Sequence, residues 1–224
     1  MIRLCRSLGV AVLIVASAVA AHASLWAGHY GTIHLAFNEG PEFEHILNSE
    51  PLPRVGAIVD LYVCLEIDGE ATYRKEAFLS VGGYELQLAV EGAEWEILSL
   101  ELPERSVNVG VEKGTLYVGK YNGIEFVDGV ASLAHWRLQI KGDPENVVFR
   151  LNPEGIHTCN EIEDCPGTGT QAIWTGSGAA RQVGIVFSAG YVPAYLNWSG
   201  EEAPDLEPVR GEVDWHERDM FKDE

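Results

Sequence analysis

Residues Gly123–Asn152 read GIEFVDGVASLAHWRLQIKGDPENVVFRLN, and the alternation inside this stretch decides the fold class. Side chains on a strand point to opposite faces with a period of two. Counting from Val130, this predicts Val130, Ser132, Ala134, Trp136, Leu138 and Ile140 on one face. Ala131, Leu133, His135, Arg137, Gln139 and Lys141 then fall on the other, which is mostly polar. Gly142-Asp143-Pro144-Glu145-Asn146 is turn chemistry, because Pro presets its backbone angle and Gly, Asp and Asn tolerate turn conformations. A second strand is expected beyond it, with Val147, Phe149 and Leu151 inward and Arg150 and Asn152 outward. Strands with one dry and one wet face predict an antiparallel sheet packed on one side, as in a β-sandwich.

The same reading extends along the chain. Ile33, Leu35 and Phe37 alternate in a first strand, and NEGPEFEHILNSEPLPR is expected to be loop with at most one helical turn. AIVDLYVCLEID is apolar on both faces except for Asp60 and Glu66 and predicts a strand covered on both sides, or a central one, ended by Asp68-Gly69-Glu70. Gly82-Gly83 predict a bend before YELQLAV, whose Tyr84, Leu86, Leu88 and Val90 face inward; Leu98, Leu100 and Leu102 form the inner face of the next strand. Glu112-Lys113-Gly114 is a hairpin turn. QAIWTG and QVGIVFSAGYV are further strands, with bulges or close approach at Gly184 and Gly190. The expectation is all-β, an antiparallel β-sandwich of jelly-roll or Ig-like type with about nine or ten strands and no long helix-period segment.

The first 23 residues carry Arg3 and Arg6, an apolar run Leu8–Ala20, and Ala21-His22-Ala23. That is the pattern of a secretory signal peptide cut after Ala23, and the run is short against the roughly 20 residues that span a bilayer. Domains are therefore expected as signal peptide 1–23, β-sandwich 24–199 with a cysteine-bearing loop at 153–170, and acidic tail 200–224. No later segment is long and apolar enough to span a membrane. Removal of the signal takes two basic residues and no acid, leaving thirteen Lys and Arg against 34 Asp and Glu, a formal charge of −21. Nucleic acid and anionic lipid are poor partners for such a chain, while basic proteins and divalent cations suit it. Export also favours a disulfide between Cys159 and Cys165, which bracket NEIED. Cys64, inside LYVCLEI, reads as a buried small apolar residue, and the absence of C-x-x-C argues against a zinc site built on cysteines.

The blocks VGAIVDLYVCLEIDG, GGYELQLAVEGAEWEILSLELP, GIEFVDGVASLAHWRLQIKG and VVFRLNP together resemble a cohesin-type module over residues 54–153. The resemblance lies in a valine-rich opening strand after Val55-Gly56, the alternating strand Tyr84–Val90 and the glycine-led strand Gly129–Ile140. It implies a nine-stranded jelly-roll sandwich, related in fold to carbohydrate-binding modules, that binds and does not catalyse.

His29, His34 and His45 lie near one another in sequence, but no helix or hairpin spacing converges them, so separate half-buried histidines are expected. His135 beside Arg137 reads as a surface pair, with ligand contact as the minor reading. Gly176-Ser177-Gly178 lacks nucleophile-elbow spacing, and no pair among 34 acids stands out as a glycosidase couple. Asp68-Gly69-Glu70 and Asn160–Asp164 cluster oxygens without an EF-hand pattern, so calcium is a secondary possibility. Asn197-Trp198-Ser199 fits the N-glycosylation triplet. With Trp95 and Trp136 assigned to the core, Trp174, Trp198 and Trp215 are the candidate sugar-stacking aromatics. The expected function is a secreted or envelope-located, non-catalytic module that binds an extracellular protein partner. A carbohydrate-binding module, with or without stabilising calcium, is the alternative, and a carboxylate-pair hydrolase is the third reading.

Overall fold

The computed structural model describes residues 26–27, 31–48, 56–67, 72–73, 76–77, 80–141, 144–152, 171–176, 185–200 and 204–209. Each apolar run in these segments forms a strand, and no helix occurs among the described residues. In chain order the strands are β1 Trp26–Ala27, β2 Gly31–Ala36, β3 Ile46–Leu47, β4 Ile58–Ile67, β5 Thr72–Tyr73 and β6 Glu76–Ala77. They continue as β7 Ser80–Glu91, β8 Trp95–Glu101, β9 Ser106–Asn108, β10 Thr115–Glu125 and β11 Val130–Ile140. The last four are β12 Val147–Leu151, β13 Gln171–Gly176, β14 Ile185–Val192 and β15 Ala194–Leu196.

One layer of the sandwich runs β8-β11-β4-β2 and reaches β14. The other is built on β7, which pairs β10, β13 and β12, and extends through β15 to β3. β14 joins the layers: its first half pairs β13, and from Gly190 onward it pairs β2. Gly190 stands where the pairing changes partner, and Gly184 lies outside the described residues. β5 and β6 form a separate two-stranded ribbon. The sandwich is mixed, not purely antiparallel, since β14–β2, β1–β14 and β15–β3 run parallel. Those pairs join segments that are not successive in sequence, so no hairpin turn imposes the antiparallel direction.

The core holds Trp136, Tyr84, Phe149, Leu35, Leu61, Leu133 and Leu138, all fully buried between the layers. β4 is central, as its two apolar faces predict, lying between β2 and β11. Four local expectations are corrected. Alternation in β11 is broken by a bulge, because Ser132 pairs Cys64 while Ala134 pairs the next residue, Val63. Leu133 is the extra residue, so Ala131 and Leu133 are buried before the bulge and Ala134, Trp136, Leu138 and Ile140 after it. A second register shift between Ser99 and Ile97 of β8 leaves Leu98 46% exposed, while Trp95, Ile97, Leu100 and Leu102 pack on the core. β7 does not begin after Gly82-Gly83 but runs from Ser80 through them; Gly82 is the extra residue against β13, where Gly83 pairs Trp174 and Val81 pairs Thr175, while against β10 the irregularity lies between Gly119 and Ile124.

The fourth correction concerns the turn Pro144–Asn146. It does not fold β12 back onto β11; it carries the chain across to the other layer, where β12 pairs β7 and β15. Asn146 adopts a left-handed φ of 53° and is anchored there. Its Nδ2 donates to Ser199 Oγ at 3.1 Å, the Ser199 amide donates to its Oδ1 at 2.8 Å, and its own amide donates to the Asn197 carbonyl. The Glu112–Gly114 turn is as expected, with Gly114 at φ 78° where a Cβ would lie 2.8 Å from the Leu88 carbonyl oxygen.

Candidate binding face

The outer face of β8-β11-β4-β2 collects the polar side chains that the core excludes. β4 presents Ile58, Asp60, Tyr62, Cys64 and Glu66 on alternate positions, because Val59, Leu61, Val63 and Leu65 fill the core. Register then places His135 opposite Tyr62 and Arg137 opposite Asp60. The His135 and Tyr62 rings stack with centroids 4.3 Å apart and planes 3° from parallel. His135 Nε2 lies 3.0 Å from Asp60 Oδ1, and Nδ1 lies 3.5 Å from Glu101 Oε2 on β8. Desolvation, followed by the charges of Asp60, Glu39 and Glu101, raises the Tyr62 hydroxyl above its ordinary range, so it remains a donor. Around this centre lie exposed Arg137 and Ser99, and Ile58 is 51% exposed. His135, read from sequence as an ordinary surface residue, is thus held by an aromatic and two carboxylates.

Toward β2 the face is overlaid by the segment after Ala36, which folds back on itself. The Phe37 amide donates to the Glu44 carbonyl at 2.8 Å; Asn38 donates to the Glu42 carbonyl and accepts from the Glu44 amide. This return brings Phe43 onto His34, with ring centroids 4.0 Å apart and planes 10° from parallel, and places His45 beside it. The expectation that these histidines stay apart is therefore corrected for His34 and His45, while His29 lies outside the described residues. The convergence comes from loop fold-back, which leaves no periodic signal in the sequence.

Between this segment and the β10–β11 turn is a pocket of about 330 Å³, lined among others by Glu39, Pro41, Cys64, Ile124, Asp128 and Ser132. Cys64 is a free, fully buried thiol. Burial, with a smaller contribution from Glu39, pushes its pKa up to about 12, so it is a poor nucleophile at neutral pH. The segment around Val209 runs along the end of β14 and beside β15: Val209 bridges Tyr191, and the Tyr195 hydroxyl donates to the Asp205 carbonyl at 3.1 Å.

Of the sequence-derived candidate aromatics, only Trp198 has a described side chain. Trp198 is half-buried, edge-on to Tyr195 at 5.1 Å, and its amide is bound by Asn48 Oδ1. Trp174 lies in β13, with backbone paired to Gly83 and Val186; its side chain, like Trp215, Cys159, Cys165, Asp68-Gly69-Glu70 and Asn160–Asp164, is outside the described part. Asn197, the glycosylation candidate, is 3% exposed and spends its Nδ2 on the Pro144 carbonyl. No described helix is long and apolar enough to cross a membrane.

No protein-family model matches the chain, and no curated protein matches it. Solved structures with a similar fold include the seventh ScaB type I cohesin of Pseudobacteroides cellulosolvens, at 10% identity and a TM-score of 0.45 over 80% of this chain and 96% of that one. A non-cellulosomal cohesin of Archaeoglobus fulgidus matches at 13% identity and a TM-score of 0.42, over 77% and 94% of the two chains. A type I cohesin–dockerin complex from Clostridium thermocellum matches at 10% identity and a TM-score of 0.44, over 79% and 99%. The chain is an all-β sandwich similar in fold to cohesin modules.

Proposed function

We propose that this chain is an exported, non-catalytic binding module that docks a protein partner on the outer face of β8-β11-β4-β2. The observation that carries this reading is the centre of that face, where stacked Tyr62 and His135 sit between Asp60 and Glu101 with Ile58 exposed alongside. A rigid aromatic anchor flanked by charges is the composition of an interface hot spot. The excess of carboxylates, on a chain of formal charge −19, selects a partner that presents Lys or Arg. Protein binding is also what the sequence resemblance to cohesin-type modules implies.

The test is capture of proteins from culture supernatant and envelope fractions on immobilised wild-type chain, in parallel with Tyr62→Ala and with Gln87→Ala on the opposite layer. A partner held by wild type and Gln87→Ala but lost at least tenfold by Tyr62→Ala, and released by salt, supports the reading. Equal retention by all three contradicts it, as does recovery of polysaccharide alone.

A further inference from the structure

His34 and His45 have their hydrogens assigned by their outer neighbours. His45 Nδ1 is 2.7 Å from the Leu35 carbonyl oxygen, which only accepts, so His45 carries its hydrogen on Nδ1. His34 Nε2 is 3.0 Å from Glu66 Oε2, a carboxylate oxygen that likewise accepts, so His34 carries its hydrogen on Nε2. With the outer nitrogens carrying the hydrogens, the inner nitrogens of the neutral rings, His34 Nδ1 and His45 Nε2, are both lone pairs and face one another across 3.3 Å. Nothing the size of water fits between them. Two neutral rings held this way repel unless a cation lies between the nitrogens.

The separation fits a bridging metal ion. At zinc–nitrogen bonds of about 2.0–2.1 Å, nitrogens 3.3 Å apart subtend about 104–111° at the ion, which brackets the tetrahedral angle. The outer contacts are those of metal-ligating histidines, one ring N–H on a carboxylate and the other on a backbone carbonyl, each setting tautomer and orientation. Phe43, stacked on His34, restrains the ring as well. We infer that His34 Nδ1 and His45 Nε2 bind one nitrogen-preferring divalent transition-metal ion, such as zinc. Calcium and magnesium, which take oxygen ligands, do not suit two imidazoles. Among the described residues no group of three or more His, Cys, Asp or Glu stands together, so these two rings are the ligands that the described residues supply. The site is independent of the docking reading above.

Zinc titration of the metal-stripped chain, by calorimetry and by long-range proton–nitrogen NMR of the histidine rings, tests the inference. The expected result is a site that shifts His34 Nδ1 and His45 Nε2 while the outer ring nitrogens stay protonated. His45→Gln removes one ligand and weakens this binding at least tenfold; Glu66→Gln keeps both ligands and weakens it about tenfold. The inference is overturned if zinc leaves the two inner nitrogens unmoved and only acid shifts them, because the pair then shares a proton. It is equally overturned if His45→Gln binds zinc as wild type does. The NMR measurement on the wild-type chain decides the matter even where a variant folds poorly.

Discussion

Removing the hydroxyl of Tyr84 tests how the two layers are locked together. Tyr84 is fully buried on β7, and its hydroxyl donates to the carbonyl of Leu133, the bulged residue of β11 in the opposite layer. The bulge takes Leu133 out of the ladder register, and the Tyr84 hydroxyl satisfies its carbonyl inside the core. Tyr84→Phe keeps the ring and strands that acceptor. A stranded buried acceptor costs about 1–3 kcal/mol, so the expected loss is about 2 kcal/mol, which for a chain of this length lowers Tm by roughly 4–8 °C. Urea and thermal unfolding followed by tryptophan fluorescence measure it. The pH dependence adds a second readout. Burial raises the folded-state pKa of this hydroxyl, so its contribution is fully present below the unfolded value of about 10 and is lost as pH rises beyond it. The gap between wild type and Tyr84→Phe must therefore narrow above about pH 10. A variant within about 0.5 kcal/mol of wild type at pH 7, or a gap that widens in alkali, would refute the bridging role.

Other outcomes follow from the same packing. Trp136→Ala should cost about 3–5 kcal/mol in urea unfolding, because a fully buried indole leaves a cavity between the layers. Asn146→Gly should lose about 1 kcal/mol through the missing Ser199 contacts, and Asn146→Ala about 1–2 kcal/mol more, since φ 53° is strained for Ala and not for Gly. Peptide mapping after thiol labelling at pH 8 should find Cys64 unmodified in the folded chain and modified in denaturant; rapid labelling of the native chain would contradict its burial. Glu96→Gln, which breaks an exposed ion pair with Lys141, should leave Tm unchanged within error.

Strand existence and the core were legible because side-chain alternation is imposed by the backbone itself. Tyr84, Leu86, Trp136, Leu138, Phe149 and Leu151 are buried as their periods predict, and Cys64 is buried within a central strand. What alternation misses is a single inserted residue. Leu133 reverses the parity of everything before it, and Leu98 interrupts β8, yet neither bulge carries a glycine or proline to announce it. Turn chemistry marked Pro144–Asn146 as a reversal, but the direction of the turn depends on Asn197 and Ser199, about fifty residues later. The candidate site was less legible for the same reason. His135 and Tyr62 meet only through β4–β11 register, and His34 meets His45 only through a folded loop; a linear pattern records neither. Tryptophans, by contrast, stood out by residue type, and Trp198 proves half-buried against Tyr195.

The central claim, that the outer face of β8-β11-β4-β2 is the docking surface, is tested most directly by hydrogen exchange of the chain alone and in complex with the captured partner. Slower exchange on binding is expected along β4, β8 and β11 around Asp60, Tyr62, Glu101 and His135, with β7, β10 and β13 unchanged. Protection confined to β7, β10 and β13, with β4 and β11 exchanging as in the free chain, would contradict it.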